Sequence, residues 1–178
     1  MIQGSDWIYD AGLAIAILTA LYFLAEYFHI NKTGFILINL GIALHMLGSQ
    51  GFYGQTIMFL GYDKIVHFTN GLAIAYAVTN YLIHTIEIKH KAKTATIIFL
   101  ALSVTTMLGV VMELNEFVGY VYFGEGEGVF MPGDGDVQTL YGEDGFYVDT
   151  MMDIIFNTIG AIAGLLIYFS FHRKPQES

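Results

Sequence analysis

Five apolar segments punctuate the chain, at about Trp7–Phe28, Phe35–Leu47, Tyr62–Ile86, Thr94–Phe123 and Val148–Phe171. A helix needs about 20 residues to cross the hydrocarbon core of a bilayer, and all but the second segment clear that length. The second is short, but residues 48–60 after it are also mostly apolar, so an extra span or a re-entrant turn over 49–60 stays open. Both prolines, Pro132 and Pro175, lie outside the five segments, as uninterrupted helices require. Gly160 and Gly164 form a small-xxx-small step of the kind that lets helices pack closely in lipid. The pattern predicts an all-α integral membrane bundle of about five transmembrane helices, forming a single polytopic domain over 1–178.

Composition agrees. Hydrophobic residues make up 55% of the chain and charged residues 13%, about half the charged fraction of a soluble domain. The absence of cysteine excludes disulfides, thiolate zinc sites, iron–sulfur clusters and cysteine nucleophiles. A net charge of −9 with 7 basic residues leaves no footprint for nucleic acid. Of those basic residues, Lys32, Lys89, Lys91, Lys93, Arg173 and Lys174 come after the first, third and fifth segments, and only Lys64 falls at the other end. Positive residues favour the cytoplasm, so the expected topology has the N-terminus outside and the C-terminus inside, in the cell (plasma) membrane. No basic stretch precedes the first segment, so no cleaved signal peptide is expected. The sequon at Asn31 would then face the cytoplasm and stay silent. The stretch at about 124–147 is glycine-rich and acidic, carrying Glu125, Glu127, Asp134, Asp136, Glu143 and Asp144; its length suits an extracytoplasmic lid. Its Gly133–Asp136 run does not fit an EF-hand, because the sixth position from Asp134 is Thr139 and the twelfth is Gly145.

Ionisable side chains within membrane helices are costly and mark functional sites. With depth counted at about 1.5 Å per residue, the topology brings His45, Asp63, His67, Glu113, Glu116, Asp149, Asp153 and Asn157 from four helices to one layer near the outer face. The pairs Asp63/His67, Glu113/Glu116, Asp149/Asp153 and Asp153/Asn157 are three or four residues apart and so share helix faces. Carboxylates suit Mg and Mn, and an imidazole brings Zn and Fe into range. So many acids at one depth require a cation, Lys64 or protonation to relieve their repulsion. The candidate ligands are His67, Glu113, Glu116, Asp149 and Asp153. Asp63 either orients His67 or serves as a base, which makes Asp63, His67 and Glu113 the candidate catalytic group, with His45 and Asn157 in support. Simpler roles compete. His45 reads as a structural hydrogen-bonded residue, Asp149 as a helix cap, and Asp63 with Lys64 as an interfacial pair. Glu26, His29, His84 and Glu87, at the other face, read as solvated interfacial residues, and His90 and His172 as solvated tails.

The segment Leu44–Gly48, then Tyr62–Phe68 with Gly71, Glu113-Leu114-Asn115-Glu116 and Asp149–Asp153 with Gly160 resemble the YjdF-like family of polytopic membrane proteins. Phe117 keeps the aromatic that follows the second glutamate in that family, whereas Met152 replaces its tryptophan. A looser resemblance, through Asp63-Lys64-x-x-His67 and Asp153-x-x-x-Asn157-x-x-Gly160-x-x-x-Gly164, reaches the VanZ-like proteins of the cell envelope. These resemblances imply the fold and the same polar residues, and no reaction. The leading reading is an outward-facing acid and histidine site that binds a divalent metal for chemistry on a lipid-linked or amphiphilic envelope substrate. Membrane lipids are its expected partners, and the sequence is compatible with a homo-oligomer. Two other classes remain: a proton or metal-ion transporter, and an accessory protein of envelope assembly.

Overall fold

The computed structural model describes residues 7–57, 59–86, 92–122 and 145–172. Five helices account for most of them: α1 (Trp7–Leu24), α2 (Lys32–Leu47), α3 (Tyr62–Thr85), α4 (Ala92–Tyr122) and α5 (Gly145–Phe171). Three stretches, Lys32–Phe52, Lys93–Gly119 and Gly145–Phe171, are long and apolar enough to cross a membrane. Of the other two helices, α1 is apolar but shorter, and α3, at 24 residues, has its hydropathy lowered by the polar side chains it buries. The chain is a multi-pass membrane protein built as a helical bundle.

The short second segment opens on a cap and ends in a turn. Asn31 caps α2, its side-chain oxygen accepting from the Gly34 amide at 2.8 Å. Beyond Leu47 the helix loosens into a π turn over Gly48–Phe52, with Gly51 at φ 109°, a left-handed conformation that glycine adopts without strain. A two-stranded hairpin then pairs Thr56–Ile57 with Leu60–Gly61. Residues 49–60 therefore do not form a sixth crossing. The acidic stretch expected as a lid lies outside the described residues up to 144, and Gly145 already opens α5. Lys89, Lys91, Arg173 and Lys174, on which the expected sidedness rested, also lie outside them.

Contacts fix the directions. Asp10 near the start of α1 meets His45 near the end of α2. Gly34 faces Tyr76 while Gly41 faces Asn70, so α2 opposes α3. Lys64 meets Asp149, and Tyr168 meets Asn80, so α3 and α5 run parallel. Glycines set their separation: a β-carbon at Gly160 or Gly164 would overlap the carbonyl oxygens of Phe68 and Leu72, and one at Gly71 would overlap that of Asn157. This is the close approach that the small-xxx-small step predicts. Hydroxyls inside the bundle bond within their own helices, Thr69 to the Ile65 carbonyl and Thr105 to that of Ala101, both at 2.8 Å. No water is needed to satisfy them in an apolar surrounding.

Candidate metal and acid–base site

The tight α3–α5 contact places the first turns of both helices against each other, and α4 closes the third side. Lys64 is the hub. None of it is exposed, and its ammonium binds the carboxylates of Asp63 and Asp149 directly and that of Asp153 at 3.0 Å. Asp63 also accepts from the Lys64 backbone amide at 2.7 Å. The sequence expectation of an interfacial Asp63–Lys64 pair is therefore corrected: the pair is buried, and the lysine serves three acids. Asp63 is turned to Lys64, not to His67, and Asp149 belongs to the same group.

Beside that hub stands a second group. His67 Nε2 lies 3.6 Å from Asp153 Oδ1 and 4.0 Å from Glu116 Oε1, and its Nδ1 lies 3.7 Å from Glu113 Oε1. One ligand atom each from His67, Glu113, Glu116 and Asp153 can be chosen so that all lie within 4.8 Å of one another. Asp153 joins the two groups, since Asp63, Asp149 and Asp153 satisfy the same criterion. Asp153 Oδ1 has the Lys64 ammonium 3.0 Å away, and Glu113 Oε1 is buried without a hydrogen bond. A buried oxygen left so costs about 1–3 kcal/mol, more when charged. Five carboxylates (Asp63, Glu113, Glu116, Asp149, Asp153) against one ammonium leave 5 − 1 = 4 negative charges when all are ionised. An N/O donor set with this surplus of negative charge and a buried, unbonded Glu113 oxygen fits a divalent cation.

Asn157, a supporting residue in the sequence reading, has its Nδ2 3.1 Å from His67 Nδ1. Gly109 makes room for that amide, with the position of an added β-carbon only 3.0 Å from Asn157 Nδ2. His45 is not in this layer of contacts. Its Nε2 lies 3.1 Å from Asp10 Oδ1 and its Nδ1 2.5 Å from the Tyr53 hydroxyl. Sequence reasoning missed Asp10 and Tyr53. The signal for Asp10 was present, an acid inside an apolar helix; Tyr53 is delivered by the π turn, which no pattern of side chains announces.

A cavity of about 270 Å³ connects the two sets. Asp10, His45, Tyr53, His67 and Glu116 line its polar end. Leu13, Ile17, Ile38, Ile42, Ile74 and Leu108, from four helices, line its apolar part, and Asn70, Asn115 and Asn157 line it as well.

At the opposite end of the bundle the side chains that hydrogen-bond between helices are neutral. Asn31 Nδ2 donates to Asn80 Oδ1 at 3.1 Å, the Tyr168 hydroxyl donates to the same oxygen at 3.1 Å, and Asn80 Nδ2 donates to the His29 carbonyl. His29 stacks on His84, and His172 stacks on Tyr168. Glu26, His29 and His84 are exposed, in keeping with their interfacial reading, whereas Glu87 and His90 lie outside the described residues. The Asn31 amide is occupied by these internal bonds.

No curated protein and no solved structure matches this chain. A family model described as a predicted membrane protein, DUF2238, matches residues 2–174, and the chain belongs to that family.

Proposed function

We propose that this protein binds a divalent cation through His67, Glu113, Glu116 and Asp153 and uses it in chemistry on an amphiphilic, lipid-linked substrate of the cell envelope. The observation that carries the reading is the convergence of those four side chains, with one buried oxygen among them, Glu113 Oε1, lacking a hydrogen bond. Asp149, a ligand in the sequence reading, and Asp63, there the partner of His67 or a base, hold Lys64 instead. A cation in this position supplies Lewis acidity or an activated water, with Mg, Mn, Zn and Fe all compatible with the donors. Asn157 orients the His67 ring, and Lys64 offsets part of the charge on Asp153. Ligation by Nε2 asks that Nδ1–H donate to the Asn157 side-chain oxygen, which a half-turn of the amide provides.

The cavity supports the substrate class. Its polar end carries two of the residues that flank the cation, and its apolar walls descend along α2 from His45 to Ile38, about 10 Å at 1.5 Å per residue. That shape suits a headgroup above an alkyl chain. Kinship with the YjdF-like group, and more remotely with VanZ-like proteins, rests on these same residues and is in keeping with an envelope role. Transport is the weaker alternative, since the buried network of the far end is neutral among the described residues, and the acid there, Glu26, is exposed.

Metal analysis of protein purified in mild detergent tests the reading. We expect stoichiometric metal, a lower melting temperature after chelation, and loss of retention in Glu113→Gln and Asp153→Asn. Retention should also fall as pH is lowered, because protons compete for the carboxylates and the imidazole. Metal-free protein whose melting ignores chelator would refute it.

A further inference from the structure

Across the cavity from His67 the π turn builds a second arrangement. The turn folds the chain back so that the Tyr53 ring packs on Gly48, where a β-carbon would overlap it. Tyr53 is 5% exposed and Asp10 1% exposed, and both line the cavity with His45. An ionised carboxylate only accepts, so Asp10 Oδ1 takes the His45 Nε2 proton and fixes the ring tautomer. His45 Nδ1 then carries the lone pair and accepts from the Tyr53 hydroxyl at 2.5 Å. The phenol proton points to the imidazole, and Tyr53 lines the cavity beside it. Isolated π turns recur at functional sites, and an acid–histidine–hydroxyl chain is the general form of an activated side-chain oxygen.

We propose that Tyr53, His45 and Asp10 form a proton relay that acts as general base in the cavity, accepting the proton from a hydroxyl on the headgroup of an amphiphile. The substrate O–H bond breaks as its proton passes to Tyr53 Oη. The Tyr53 proton passes in the same step to His45 Nδ1, and the resulting imidazolium is paired with Asp10. Tyr53 touches the substrate; His45 and Asp10 are positioning residues. The relay uses none of the four cation ligands, so it stands or falls apart from the cation site.

An activated phenol reacts with a sulfonyl fluoride: the O–S bond forms, the S–F bond breaks, and fluoride leaves while His45 takes the proton. Whole protein in detergent is treated with a long-chain alkylsulfonyl fluoride, with and without chelator, and the modified tyrosines are mapped by mass spectrometry. Tyr53 should label faster than the exposed Tyr22 and Tyr147, faster with the long-chain probe than with methanesulfonyl fluoride, and equally in Glu113→Gln. His45→Gln and Asp10→Asn should slow it by about a hundredfold, the low end of what a positioned base contributes. Folding of each variant is checked by melting. In parallel, nitrogen NMR of labelled histidine should show His45 unprotonated at Nδ1, with that signal shifting in Tyr53→Phe. Labelling of Tyr53 that is absent, no faster than at Tyr22, or indifferent to His45→Gln overturns the relay, as does a His45 Nδ1 that carries the proton.

Discussion

The two ends of the bundle solve the same problem with different materials. Both bury polar groups where water is scarce. At one end Asn31, Tyr76, Asn80 and Tyr168 are neutral, and the Asn80 side chain donates once and accepts twice. At the other, five acids surround one lysine and one histidine, and Glu113 Oε1 goes without a hydrogen bond. A neutral network is enough to clamp α3 to α5 and to the start of α2. Charges are far costlier to bury, so packing alone gives no reason for the acidic end. The contrast separates a structural clasp from a site whose surplus negative charge the proposed cation would offset.

The sharpest way to break that contrast is to remove Lys64. Replacing a whole buried ion cluster by apolar residues can be harmless, but deleting one partner strands the rest, at about 3–5 kcal/mol. Lys64→Met leaves Asp63, Asp149 and Asp153 without their ammonium. We expect poor accumulation or a sharply lowered melting temperature, recovered in part when Asp63→Asn and Asp149→Asn are added. A Lys64→Met protein that melts with the wild type would show that the acids are held neutral and need no lysine.

The clasp predicts a smaller and differently placed effect. Asn80→Ala removes the acceptor of Asn31 and Tyr168 and the donor to the His29 carbonyl. Stranded buried groups of this kind cost about 1–3 kcal/mol. Melting should fall accordingly while metal retention stays at the wild-type level. Loss of metal in Asn80→Ala would mean that the two ends are coupled through α3.

Much of this was legible in the sequence, and the reasons differ by residue. The helices came from apolar length, and the α3–α5 contact from Gly160 and Gly164, because a missing side chain is a statement about distance. Convergence of His67, Glu113, Glu116 and Asp153 came from helical spacing and depth. The division of labour among the acids did not. Spacing gives a face but not a partner, so it could not say that Asp149 turns to Lys64 while Asp153 is shared. Nor could it place Tyr53 on His45, since that contact depends on a left-handed glycine inside a π turn.

The smallest expected effect tests whether the chemistry is one-sided. Glu26, His29 and His84 are exposed near the far end, and His29 and His84 stack on one another. Surface substitutions away from caps and cores move stability by about 0.5 kcal/mol or less. A site used from one end needs nothing of these residues, so Glu26→Gln and His84→Ala should leave melting, metal retention and Tyr53 labelling unchanged. A path through the bundle is different: the cargo must leave past a second polar station, and in the described residues these side chains, with Lys32, Lys93 and His172, are ionisable groups near that exit. Metal uptake into proteoliposomes that is present in the wild type and lost in His84→Ala would place a conduction path through the clasp. The comparison would then join two stations of one route in place of a site and its support.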